Sequence, residues 1–143
     1  MKLTNTQCKN SKSGMTLLEL TVVILVLLSL ISILFIGARA WKKGSDRAAN
    51  ILNIRNAQQA VRGHANVRGL AETTGACTEA DIYGTGGTGV GGYLRKPTVP
   101  NTDITSYTGG AVIPVVGTLW LTVAYSGTGA ADFAPDTATF QDW

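Results

Sequence analysis

Residues 12–38 read "KSGMTLLELTVVILVLLSLISILFIGA" and contain the longest apolar segment of this 143-residue chain. Glu19 is the only charged residue between Lys12 and Arg39. As an α-helix, the 24 residues from Met15 to Ala38 would extend about 36 Å, which exceeds the ~30 Å hydrocarbon core of a bilayer. The stretch therefore predicts a helix that lies in lipid or in a bundle of copies, with one carboxylate whose charge needs a partner.

The helix is predicted to continue beyond the apolar segment, because no proline occurs before Pro97. Trp41, followed by Lys42 and Lys43, is typical of a membrane–water interface. Further on, apolar residues recur at spacings of three and four, which predicts the buried stripe of an amphipathic helix. This stripe consists of Ala48, Ile51, Ile54, Ala57, Val61 and Ala65. Gly69 is the expected end of a helix of about 50 residues.

The C-terminal half predicts a small β-rich region, because short apolar runs alternate with glycine-rich turns. Thr78-Glu79-Ala80-Asp81 fits a capping box that opens a short helix, with Asp in the place of Glu. The predicted strands are Thr105–Thr108, Ala111–Val115, Thr118–Tyr125 and Thr137–Phe140. The expected fold class is α+β, in which a long N-terminal helix, membrane-spanning and then amphipathic, packs against a small antiparallel β-sheet.

The N-terminal residues resemble those of bacterial type IV prepilins and of the pseudopilins of type II secretion systems. The resemblance lies in a short basic leader that ends at Gly14, the hydrophobic Met15, Glu19 as the fifth residue after the cut, and the long uncharged run that follows. It covers about half of the chain. It implies a cleaved leader at 1–14, a transmembrane or filament-core helix half at 15–41, an amphipathic helix half at 42–69 and a C-terminal β-rich head at 70–143.

The resemblance also implies a function. A membrane prepilin peptidase would cut after Gly14 and methylate the new amine of Met15. The subunit would span the inner membrane once, with the head outside the cytoplasm, until an assembly platform extracts it into a periplasmic or cell-surface filament. In such a filament, Glu19 of an incoming subunit would pair with the Met15 ammonium of a neighbour. The chain departs from the family at Gly37, because many members have a proline in this region.

Charge is segregated along the chain. The basic stem, residues 39–68, has seven basic residues and one acid, a net charge of +6, whereas residues 69–143 have seven acids and two bases, a net charge of −5. We expect Arg55, Arg62 and Arg68, which we place on one helix face at spacings of seven and six, to meet acidic residues on the head of a neighbouring subunit. Bases spread along a helix with almost no aromatic residues are not typical of specific nucleic-acid binding.

Two other functions remain open. A single-span membrane protein, with an extracytoplasmic head that binds a ligand or partner without polymerising, would have the same apolar segment. Alternatively, Ala38-Arg39-Ala40 is an A-x-A site, and cleavage there would release a soluble domain that starts at Trp41, although the apolar run exceeds the h-region of 7–15 residues in a signal peptide. The sequence also leaves open whether the filament is a pilus, a secretion pseudopilus or a DNA-uptake fibre.

No enzyme activity, cofactor or metal is predicted. The glycines Gly84, Gly86 and Gly89 formally match G-x-G-x-x-G, but no strand is predicted before them and no regular helix after them, as a nucleotide site requires. His64 is expected to be a packed or solvated residue of the helix.

Cys77 is expected to be an unpaired loop thiol, with an intermolecular link or a lipid site as alternatives. If the apolar run spans a membrane, Cys8 lies on its other side and cannot pair with Cys77. The acids Asp132, Asp136 and Asp142 match no calcium-loop spacing and are expected to be solvated.

Overall fold

The computed structural model describes residues 14–127 and 129–143, so the predicted leader, except for Gly14, lies outside the described residues. The regular elements are α1 (Leu17–Arg68), α2 (Glu79–Tyr83), β1 (Ile104–Gly109) and β2 (Leu121–Tyr125). Short 3₁₀ turns lie at Thr85–Gly87, Ala130–Phe133 and Thr137–Thr139. The chain divides into two compact units between Ala40 and Trp41.

α1 is a single helix of 52 residues that continues through Gly37. Its end is the predicted one, because Gly69 adopts a left-handed conformation with φ of 63°. The N–H of Leu70 then donates to the carbonyl of Ala65 at 3.0 Å, which satisfies one of the last helical acceptors. Glycine has no side-chain penalty in this conformation, so the helix ends where the sequence places it.

The C-terminal unit has its core between the second part of α1 and the elements that follow it. Four apolar residues of the predicted stripe, Ile54, Ala57, Val61 and Ala65, are buried there, whereas Ala48 is exposed. The other buried apolar residues are Cys77, Ile82, Tyr83, Ile104, Tyr107, Ile113, Trp120, Leu121 and Phe133. The fold class expected from the sequence is confirmed, since a long N-terminal helix packs against a small antiparallel sheet.

The core also contains polar side chains of α1 that the periodicity does not predict. Asn50 and Gln58 are 0% and 2% exposed. Asn50 donates to the carbonyl of Phe133 at 2.8 Å and accepts from the hydroxyl of Tyr107 at 2.8 Å. These bonds fix the position of the helix against the head, because a displaced helix would leave buried polar atoms unpaired.

β1 and β2 pair in antiparallel register, from Ile104 opposite Tyr125 to Gly109 opposite Leu121, with an irregularity between Ile104 and Ser106. β1 contains the predicted strand 105–108. Gly109 is required for close packing, since a Cβ atom there would collide with the ring of Trp120.

The strand predicted at Ala111–Val115 is wrong. Only an isolated bridge joins Val112 to Ala76, and Ile113 exchanges bonds with the segment after α1. Pro114 explains the difference, because it has no N–H to donate to a strand ladder.

Two other strand predictions are wrong in part or in full. Regular pairing begins at Leu121 rather than at Thr118, because the N–H of Thr118 turns back to the carbonyl of Val115 at 3.1 Å. The strand predicted at 137–140 is instead a 3₁₀ turn. Asp136 caps this turn by accepting a hydrogen bond from the N–H of Ala138 at 3.1 Å, which favours a helical start over an extended one.

Candidate assembly segment and charged surface

The candidate processing and assembly residues lie at the start of α1. Gly14, Met15 and Thr16 precede the helix and are exposed. Glu19 lies in its first turn, where its Oε2 atom accepts hydrogen bonds from the N–H and the hydroxyl of Thr16 at 2.9 and 3.0 Å. The N–H of Glu19 donates to the Thr16 hydroxyl at 3.2 Å. This reciprocal arrangement is a capping box, and the pattern T-x-x-E at residues 16–19 is the sequence signal that could have predicted it.

The N-terminal part of α1 exposes its apolar side chains on every side. Every large apolar side chain from Met15 to Ile36 is at least 47% exposed. Its hydroxyl groups are satisfied within the helix, since Thr21, Ser29 and Ser32 donate to carbonyls three or four residues earlier. α1 is long and apolar enough to cross a membrane. A helix that is apolar all round has to be covered by lipid or by other protein.

Within the C-terminal unit, part of the segregated charge is neutralised by ion pairs in the same chain. The ion pairs among the described residues are Lys43–Asp132, Arg62–Glu72 and Lys96–Glu79. The Lys96–Glu79 pair has an N–O distance of 2.6 Å, and the same carboxylate accepts from the N–H of Gly109 at 2.6 Å. Burial raises the pKa of Glu79, but the bonds from Gly109 and Lys96 outweigh this effect, and the pKa is lowered.

Arg62 holds the C-terminal segment against α1. Its guanidinium donates to the Glu72 carboxylate at 2.9 Å and to the main-chain oxygen of Trp143 at 3.2 Å. Arg55 lies over the ring of Trp143, 5.3 Å from the centroid, as in a cation–π contact. Two of the three arginines predicted to meet a neighbouring subunit therefore already have contacts within their own chain.

Arg68 is exposed and forms no ion pair with any residue that the structure describes. It does not share a face with Arg62, because six residues at about 100° each place it about 120° away around the helix. This corrects the placement of the three arginines on one face. The contact of the three arginines with acids of a neighbouring subunit stays a prediction. Of the three, Arg68 has the fewest described contacts within its own chain.

A groove of about 540 Å³, which we call the Arg95 groove, lies between α1 and the loop at 94–100. One wall is formed by Ala49, Asn53 and Asn56 of α1. The other is formed by loop residues Leu94, Arg95, Lys96, Pro97, Thr98 and Pro100. The groove has two basic residues and no acid in its walls. Lys96 is paired with Glu79, so Arg95 carries the charge of the groove that no described residue neutralises. No sequence pattern indicates this groove, because its two walls are about 40 residues apart in the chain.

The C-terminal segment, residues 131–143, has the opposite charge, with three acids and no base. Asp132 pairs with Lys43, which lowers the pKa of Asp132. Asp142 lines a cleft together with Arg55 and Arg62. Asp136 is exposed and has no ion pair with the residues that the structure describes.

Cys77 and His64 lie in the core, so the sequence-based expectation of a loop thiol is only partly correct. Cys77 is unpaired, as expected, but 0% exposed. Burial, with a smaller effect of Asp81, raises the pKa of the Cys77 thiol to about 11. A buried, protonated thiol is a poor site for lipidation or intermolecular linkage. His64 packs edge-on against Tyr93, with ring centroids 5.5 Å apart.

The glycine-rich loop is not built as a nucleotide site. Helix α2 precedes Gly84, and only the 3₁₀ turn Thr85–Gly87 follows it, as the sequence context indicated. In the part of the chain that the structure describes, no three His, Cys, Asp or Glu side chains cluster as metal ligands.

No protein-family model matches the chain, and no curated protein or solved structure is significantly similar to it. The function is therefore inferred from its own residues and their geometry.

Proposed function

We propose that this chain is a structural subunit of a type IV pilus-like or type II secretion pseudopilus filament, matured by a prepilin peptidase. The strongest support is that the first part of α1 exposes apolar side chains on every side and has a single carboxylate, Glu19, in its first turn. Such a surface needs an apolar environment, and no described residue of the chain covers it. Lipid would cover it before assembly, and the helices of other subunits would cover it afterwards.

Glu19 is the residue whose role separates a filament subunit from an ordinary membrane anchor. A charge at the centre of a bilayer costs roughly 2.5–3.5 kcal/mol on insertion scales. Glu19 lies in the first turn, where capping bonds from Thr16 partly satisfy it and a long side chain can reach the interface. On assembly, the Met15 ammonium of a neighbouring subunit becomes its partner. The pair acts chiefly as a register device, because desolvation offsets much of its Coulomb attraction.

The backbone around the cleavage site supports processing by a peptidase. Residues 14–16 are not helical, so the bond between Gly14 and Met15 lies in backbone that a protease cleft can accept. Gly14 adds no side chain to the approach. Cleavage would expose the Met15 amine next to the capping box, where it can be methylated. The proposed partners are other copies of the chain, the peptidase, the inner-membrane assembly platform and membrane lipid, with no specific nucleic acid.

The proposal predicts a separation of insertion from assembly in the Glu19→Val variant. Insertion should be unchanged or improved, since valine is less costly in lipid. Filament formation should fall strongly, because the Met15 ammonium loses its partner. The measurement compares the membrane fraction with the sheared-filament fraction of cells that contain a complete assembly machine. Thr21→Val is the matched control, because the hydroxyl that it removes bonds only to the carbonyl of Leu18 in the same helix.

Normal amounts and normal register of Glu19→Val filaments would contradict the proposed role of Glu19. A wild-type chain that stays monomeric in the membrane, in cells that assemble filaments of their own, would contradict the filament function. That second outcome would support the single-span protein with a binding head.

A further inference from the structure

We propose that the Arg95 groove binds Asp136 of a second copy of this chain. The inference rests on the proposed function and deepens it, because it names one contact by which neighbouring heads hold each other in the filament. It differs from the stem contacts expected from the charge pattern, since it uses a loop arginine and a C-terminal aspartate. The groove and the aspartate both lie in the C-terminal unit.

The groove offers hydrogen-bond donors that no described residue of the same chain uses. Lys96 forms an ion pair with Glu79, and Asn53 donates a hydrogen bond to the hydroxyl of Tyr107 at 3.3 Å. The side chains of Arg95 and Asn56 make no hydrogen bond to the residues that the structure describes. A groove lined by a free guanidinium and a free carboxamide suits a carboxylate, because the planar guanidinium can donate two parallel hydrogen bonds to it. The groove thus favours an acidic side chain.

Asp136 is the acid of the C-terminal segment best suited to this groove. Asp132 and Asp142 lie close to basic residues of their own chain, so their charges are already partly compensated. Asp136 uses its Oδ1 atom to cap the following turn and has no basic partner among the described residues. The cap fixes the side chain, so that its other oxygen is presented at low entropic cost. Pro135 stiffens the backbone immediately before it.

The positions of the two surfaces around α1 favour a contact between different copies. The groove is formed by residues 49, 53 and 56 of α1, whereas the neighbours of Asp136 line a different cleft, which contains Ile54. These neighbours are Ala134, Pro135 and Thr137. At about 100° per residue, Ile54 is roughly 100–160° away from the three groove positions. A chain therefore presents its Asp136 away from its own groove. A contact between two different surfaces is heterologous, and repetition of such a contact gives a helical polymer when it does not close into a ring.

Paired cysteines test the contact in assembled filaments of the full chain. Arg95→Cys and Asp136→Cys are introduced together, and sheared filaments are treated with a bismaleimide cross-linker and run on a denaturing gel. A cross-linker is used because an arginine and an aspartate that meet through their side chains have Cα atoms too far apart for a direct disulfide. Because every subunit then has both partners, we expect a ladder of dimers, trimers and longer products. The control replaces Arg95→Cys by Ser106→Cys, an exposed position on β1, and should give no ladder. The buried Cys77 is kept in both variants.

Charge exchange provides the second measurement. Arg95→Glu or Asp136→Arg alone should lower the yield of sheared filaments about fivefold, as for one exposed ion pair repeated at each contact. The two changes together should restore most of the yield. Filaments that form normally without a ladder, or a double variant no better than the single ones, would overturn the groove contact and leave the filament function standing. A wild-type chain that never polymerises would instead overturn the function, and the groove contact with it.

Discussion

Gln58 occupies a core position where the helical periodicity would be expected to place an apolar residue. Its side chain donates to the carbonyl of Thr118 at 3.1 Å and accepts from the N–H of Trp120 at 3.0 Å. The Gln58 carboxamide therefore bonds the main chain just before β2 in the way that the main chain of a neighbouring strand would. Sequence periodicity identifies a stripe, but it cannot show which polar neighbour of the stripe will find buried partners, because those partners lie about 60 residues away.

The Gln58→Ala variant should lower the free energy of unfolding by about 1–3 kcal/mol, because it leaves the buried N–H of Trp120 and the partly buried carbonyl of Thr118 without this partner. The measurement is urea unfolding of the full chain in detergent, followed by tryptophan fluorescence, to which the buried Trp120 contributes. The control is Gln59→Ala, since Gln59 is its exposed neighbour on the same helix. Equal stabilities of the two variants would show that the Gln58 bonds contribute nothing.

Among the helices and strands, a clear helix start or stop signal predicted an element correctly, whereas an apolar, β-branched run alone did not. The end of α1 at Gly69 and the capping box of α2 follow from a few adjacent residues, and both are confirmed. The strands at 111–115 and 137–140 failed because Pro114 and the Asp136 cap are local signals that outweigh an apolar, β-branched composition. The Lys96–Glu79 pair joins an exposed loop to α2, and no local pattern indicates it.

The pKa of Glu79 predicts an acid-sensitive element. Its pKa is lowered in the folded chain from the ordinary value of 4.5, because the bonds to Gly109 and Lys96 outweigh burial. The stabilisation is therefore fully present above pH 4.5 and is lost as the pH falls through the lowered pKa. The Glu79→Gln variant should be less stable than wild type at pH 7, and the two should converge as the pH falls from 4.5 through the lowered pKa. Unfolding curves that stay equally far apart at every pH would contradict this role of Glu79.

For the chain as a whole, the sequence predicts a helix that is apolar on every side at first and amphipathic afterwards, and the exposure of its described residues has this pattern. Residues 15–36 expose apolar side chains on every side, whereas α1 beyond Asn50 buries one face in the C-terminal unit. The charge segregation is a weaker basis for predicting contacts between subunits, because Arg62 and Lys43 form ion pairs within their own chain. The Arg95 groove arises only when distant segments fold together, so composition alone could not reveal it.

The most direct test of the filament-subunit account is the mass of the N-terminal peptide of the protein purified from membranes of cells with an active prepilin peptidase. A subunit processed in this way begins at N-methylated Met15, and a Gly14→Phe variant keeps its leader, because a bulky side chain blocks the cut. A wild-type chain that retains Met1 in such cells, or one that begins at Trp41, would contradict the account.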